Sequence, residues 1–73
     1  MVSYKPLFRL LVDREMSKAE LMRAAKLAPN TMTKIRKNEE VSMTVLNRIC
    51  AVLGVSYGDI VEYIHPEVAT ESK

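Results

Sequence analysis

Residues 17–36 read Ser17-Lys18-Ala19-Glu20-Leu21-Met22-Arg23-Ala24-Ala25-Lys26-Leu27-Ala28-Pro29-Asn30-Thr31-Met32-Thr33-Lys34-Ile35-Arg36. The stretch divides into two short helices joined by a tight turn. Ser17 followed by Glu20 is a capping-box pattern, in which side chain and backbone satisfy two orphan amides reciprocally, so a helix starts at Lys18. Leu21, Ala24 and Ala25 give it a narrow apolar face, and the alanines let another helix approach closely. Lys26, Leu27 and Ala28 form the turn. Pro29 suits the first position of the next helix, where its fixed φ helps and its missing N–H costs nothing. Met32 and Ile35 point inward, which leaves Asn30, Thr31, Thr33, Lys34 and Lys37 on the outer sides. A protruding helix with small polar and basic side chains fits the major groove of DNA.

The flanking sequence continues the helical reading. Before the stretch, a first helix is expected over about residues 4–15. Ser3 can cap it, Pro6 is tolerated in its first turn, and Leu7, Leu10, Leu11 and Phe8 supply its apolar stripe. After it, Asn38, Glu39 and Glu40 make a polar loop. Ser42 or Thr44 then caps a fourth helix running to about Leu53, with Val45, Ile49, Val52 and Leu53 inward, and Gly54 suits its left-handed end. Ser56 and Asp59 resemble another capping box, so a fifth helix is expected over about residues 57–64, stopping before Pro66. No strand signal or internal repeat is visible. The expected fold is all-α, a compact bundle of about five short helices. It forms one domain over residues 1–66, followed by a frayed tail over residues 67–73.

Size and composition narrow the function. At 73 residues the chain buries only a modest core, with little room for a catalytic cleft besides. The single cysteine, Cys50, excludes an intramolecular disulfide and a multi-cysteine metal site; it reads as a small hydrophobe on a helix. The single histidine, His65, excludes a multi-histidine site and reads as a cap for the last helix, where its charge suits the negative dipole end. Met22, Met32 and Met43 read as core fillers. No apolar run approaches the ~20 residues of a membrane span, and residues 1–6 lack the form of a signal peptide, so a cytoplasmic protein is expected.

Net charge is only +2, yet its distribution is uneven. Residues 1–37 carry nine bases and three acids, a net of +6, whereas residues 38–73 carry two bases and six acids, a net of −4. Such asymmetry fits one face turned to a polyanion and another turned away, although it is equally the pattern of an unevenly charged solvated surface.

With the helices placed, the chain resembles the Cro/CI-type, or XRE-like, helix-turn-helix family, and within it the short stand-alone regulators of bacteria and their mobile elements. The likeness rests on Ser17-x-x-Glu20-Leu21, on Asn30-Thr31-Met32-Thr33-Lys34-Ile35, and on Leu46-x-x-Ile49-Cys50-x-x-Leu53-Gly54-Val55. The ending Gly58-Asp59-Ile60-Val61-Glu62-Tyr63-Ile64 adds to it, and together these cover about residues 4–65. The resemblance implies a lambda-repressor-like DNA-binding domain. Pro29, Asn30, Thr31, Thr33 and Lys34 would reach base edges, with Asn30 suited to adenine, Lys34 to guanine and the threonine methyls to thymine. Ser17, Lys18, Lys37, Asn38, Ser42, Met43 and Thr44 would contact phosphates. The family usually has glycine where this chain has Lys26, so a left-handed lysine is expected there. Ala28 replaces the usual polar cap of the recognition helix, and Glu39 and Glu40 are expected to point away from the duplex.

The function so implied is sequence-specific double-stranded DNA binding by a transcriptional repressor. It would act as a homodimer on a palindromic operator, without cofactor, metal or small-molecule ligand. Tyr57, Val61 and Ile64 recur at helical spacing and are expected to form one stripe of the fifth helix that supplies the dimer contact. The alternative is a protein-interaction module, such as an antitoxin or a small partner of another regulator. An enzyme is disfavoured, because no nucleophile, base and acid converge.

Overall fold

Three of the four helices begin where a small residue, Ser17, Ala28 or Ser42, ends extended chain, and each helix ends beside a residue with left-handed backbone. A computed structural model describes residues 1–65. The elements are β1 (Val2–Ser3), α1 (Lys5–Asp13), α2 (Lys18–Ala24), α3 (Pro29–Arg36), α4 (Met43–Leu53), a single 3₁₀ turn (Tyr57–Asp59) and β2 (Glu62–Tyr63).

The core takes one completely enclosed aliphatic residue from each segment: Leu7, Leu21, Ile35, Ile49 and Ile60, with Tyr4 beside them. Leu11, Ala25, Leu27, Met32 and Leu53 complete it. Truncating any one of the large aliphatics would cost about 2–5 kcal/mol. Domains of this kind hold only about 5–15 kcal/mol in all, so the helices stand or fall together. Val52 and Ala24 are exposed rather than inward, and Leu10, Phe8 and Val45 are only half-buried. Met32 is buried and Met22 half-buried, but Met43 is exposed at the first position of α4 and fills nothing. Cys50 is half-buried; burial, then the charge of Asp59, pushes its thiol above the usual value.

The end of the chain differs most from expectation. The fifth helix contracts to the 3₁₀ turn, although the Ser56–Asp59 capping box forms. Two causes act together. Gly58 and the β-branched pair Ile60 and Val61 weaken helix propagation. Residues 62 and 63 instead pair antiparallel with the N-terminal strand, Val2 opposite Tyr63 and Ser3 opposite Glu62. This two-stranded sheet satisfies backbone groups at both ends of the described chain, and the Ile64 amide extends it by donating to the Met1 carbonyl at 2.7 Å.

The expected stripe of Tyr57, Val61 and Ile64 therefore does not exist. Tyr57 lies in the 3₁₀ turn with its hydroxyl paired to Asn47, Val61 packs half-buried against the core, and Ile64 is exposed beyond β2. His65 caps no helix; its ring meets Tyr63 edge-on at 4.7 Å. The boundary at Pro66 and the tail over residues 67–73 lie outside the described residues.

Candidate nucleic-acid interface

The interface is built on α2 and α3. At the start of α2 the Ser17 hydroxyl accepts from the Glu20 amide at 3.0 Å, and the Glu20 carboxylate accepts from the Ser17 amide at 2.7 Å. The backbone amide of Ser17, then its side chain, holds the Glu20 carboxyl below its ordinary range. Ser17 is thus committed to the helix start and stays exposed. Lys18 follows with its Nζ 4.7 Å from the centre of the Phe8 ring, a cation–π contact that steadies a flexible side chain.

The turn between α2 and α3 bends at Lys26, whose φ is +57°, as its place in the turn requires. The Leu27 amide closes back on the Met22 carbonyl at 2.9 Å, and an Arg48 guanidinium nitrogen donates to the Lys26 carbonyl at 3.4 Å. Ala28 caps α3 without a side-chain hydrogen bond.

On α3, Leu21 from below and the buried Met32 and Ile35 fix which side faces out. Pro29, Asn30 and Lys34 are exposed, whereas Thr31 and Thr33 are half-buried. Thr33 is also engaged within the helix: its hydroxyl donates to the Pro29 carbonyl at 3.1 Å and accepts from Arg36 at 3.4 Å. That leaves its methyl for apolar contact. No acid lies in α3, while Lys34 and Arg36 occupy its last turn, where cations suit the dipole.

Beyond α3, Lys37 forms the C-cap and Asn38 follows with φ +59°. The Asn38 side-chain oxygen accepts from the Tyr4 amide at 3.0 Å, so that oxygen serves the fold. Ser42 caps α4 by accepting from the Val45 amide at 3.3 Å. Met43 and Thr44, its first two helical residues, are exposed, as are Glu39 and Glu40.

Two clefts show which candidates are neighbours. One is lined by Lys18, Ala19, Met22, Met32 and Arg36, so the start of α2 and the end of α3 share a basic rim. The other brings Lys37 and Asn38 together with Lys5, Ser3 and Glu62. Arg36 lies in the basic run that ends α3. Lys5 carries no signal of this place in the sequence, because Lys37 and Asn38 lie more than 30 positions away. Residues 42–44 join neither cleft. Among the described residues no cluster of histidine, cysteine or carboxylate could hold a metal ion, and no helix is long and apolar enough to cross a membrane.

The family described as Cro/C1-type HTH DNA-binding domain matches residues 7–66. Among solved structures, a crystal structure of the transcriptional regulator VanUg is similar, with a TM-score of 0.87 and 46% identity, over 89% of this chain and 87% of that one. No curated protein matches the chain.

Proposed function

This chain belongs to the Cro/C1-type helix-turn-helix DNA-binding family, and from that membership we propose that it is a sequence-specific repressor. It reads the major groove with α3 and binds a palindromic operator as a homodimer. The observation that carries the reading is the outward side of α3, where exposed Asn30 and Lys34 stand on a helix free of acids and anchored by buried Met32 and Ile35. Pro29, Asn30, Thr31, Thr33 and Lys34 meet base edges, Asn30 pairing with adenine and Lys34 with guanine. Lys18, Lys37 and Asn38, with the exposed helix starts at Ser17 and at Ser42, Met43 and Thr44, meet phosphates and set the register. The regulatory role is supported by the 46% identity to a protein described as a transcriptional regulator. The chain acts by binding, not by catalysis. Repression follows physically if the bound dimer occludes a promoter.

Selection of duplexes from a random pool, followed by titration of the winning sequence across salt, tests the proposal. A recovered palindrome whose log affinity falls steeply with log salt is expected, because several lysines and arginines displace counterions. Absence of binding to any duplex at low salt would overturn it and favour a module that binds protein.

A further inference from the structure

Tyr4 is almost wholly enclosed, 2% exposed, and it bonds twice to the loop that follows α3. Its backbone amide donates to the Asn38 side-chain oxygen at 3.0 Å, and its hydroxyl donates to the Glu39 carbonyl at 2.8 Å. These bonds span 34 and 35 positions of sequence. A phenylalanine ring would fill the same space in the core, so packing does not account for the hydroxyl. Burial pushes that hydroxyl above its usual pKa, opposed by the Val41 backbone, which leaves it a donor at neutral pH.

Asn38 is fitted to the other half of the contact. Its φ of +59° is one that glycine adopts freely and asparagine tolerates, while larger side chains are strained there. Glycine would keep the backbone but lose the acceptor for Tyr4. The amide after Tyr4, that of Lys5, is taken by the Ser3 hydroxyl at 3.2 Å. The start of α1 is therefore bound to the loop after α3 as well as to the Ser3 hydroxyl. One consequence is positional: Lys5, the first residue of α1, lines the same cleft as Lys37 and Asn38. Glu62 is the acid of that cleft, so its two lysines leave a net positive charge.

We propose that Lys5 is a further phosphate-contacting residue, forming one clamp with Lys37, and that Tyr4 is the positioning residue that latches the two together. The inference rests on the DNA-binding reading above and extends its interface onto α1. Phosphate contacts carry no sequence information, so the clamp governs affinity and leaves base preference unchanged.

The test uses the whole chain and a random-sequence duplex at low salt, with thermal melts to establish that each variant is folded at the temperature of binding. Lys5→Ala is expected to lower the slope of log affinity against log salt by about 1, as Lys37→Ala does. Tyr4→Phe is expected to weaken binding about 2- to 10-fold, the scale of one hydrogen bond. In the Lys5→Ala/Lys37→Ala background that cost should vanish, because residues acting as a unit are not additive. Asn38→Gly removes the other half of the latch together with an amide placed on phosphate, so its loss should be at least as large as that of Tyr4→Phe. Selection from a random pool should return the wild-type sequence for both. A Lys5→Ala slope equal to wild type would overturn the clamp. A Tyr4→Phe cost of the same size in both backgrounds would make Tyr4 merely structural and overturn the latch. Wild type failing to bind any duplex would overturn the DNA-binding reading, and the clamp with it, whereas wild-type binding with an unchanged Lys5→Ala slope removes the clamp alone.

Discussion

Lys26 shows how far a single residue can depart from the local optimum without losing the turn. Its φ of +57° puts an L side chain where glycine is at ease, and its exposed side chain gains no packing in return. A non-glycine residue held there costs roughly 1–2 kcal/mol. Lys26→Gly should therefore stabilise the fold by about 1 kcal/mol and raise the melting temperature by several degrees. The Arg48 contact survives, because it is made to the backbone carbonyl. A melt at or below wild type would mean that the lysine side chain compensates for its own strain. Asn30 makes the opposite kind of contribution, invisible to stability. Its exposed amide on the second position of α3 should read one base pair, so Asn30→Ala should cost about 1–3 kcal/mol of specific binding and relax preference at that position in each half-site. Equal weakening on selected and random duplexes would contradict the assignment.

At the scale of the element, α2 depends on its beginning. Seven residues are too few for a helix to persist on propensity alone, so its capping box and its packing through Leu21 must hold it. Ser17→Ala should destabilise by about 1 kcal/mol, the usual cost of losing an N-cap, as read from chemical denaturation. The Glu20 half of the box carries a pH dependence. Its folded pKa is below its unfolded one, so its contribution is complete above the ordinary carboxylate range. It is lost as pH falls through the lowered value. Glu20→Gln removes the titrating charge, and should flatten the acid limb of the stability profile by lowering neutral stability toward its acid value. An unaltered acid limb would place the titration elsewhere. On α3, Ile35→Ala should cost about 2–5 kcal/mol, a large share of the stability of a domain this small; a wild-type melt would show that α3 is turned the other way.

The whole molecule must solve a problem no element solves, which is how one small domain recognises enough DNA. Half-sites centred about 10 base pairs apart place two copies on one side of the duplex. A palindrome of that spacing should bind more tightly than a single half-site, with a steeper dependence on protein concentration. Moving the half-sites by half a helical turn should remove the gain. Equal affinity for one half-site and for two, whatever the spacing, would show that the chain binds as an independent monomer. If Tyr57, Val61 and Ile64 join two copies, they do so without the helix expected to align them, since only a 3₁₀ turn forms there and Val61 packs half-buried against the core.

Local signals determined the central part of the protein. The Ser17 and Glu20 pair, Pro29, Ser42 and Gly54 each act within about four residues, through a cap, a fixed φ or a left-handed turn. For that reason α2, α3 and α4 and the outward side of α3 are legible from the amino acids alone. The apolar spacing likewise picked out Leu7, Leu21, Ile35 and Ile49, because burial follows the helical period. The two ends were decided only by tertiary structure. Residues 57–64 carry a helix-like cap and apolar spacing, yet residues 62 and 63 find hydrogen-bond partners in residues 2 and 3, some 60 positions away, which no local pattern announces. Tyr4 and Asn38 are ordinary residues in sequence and become partners only when α1 packs beside the loop after α3. Local chemistry sets the helices because their hydrogen bonds close within four residues; the strand pair, the latch and the company of Lys5 depend on contacts that exist only once the chain has folded.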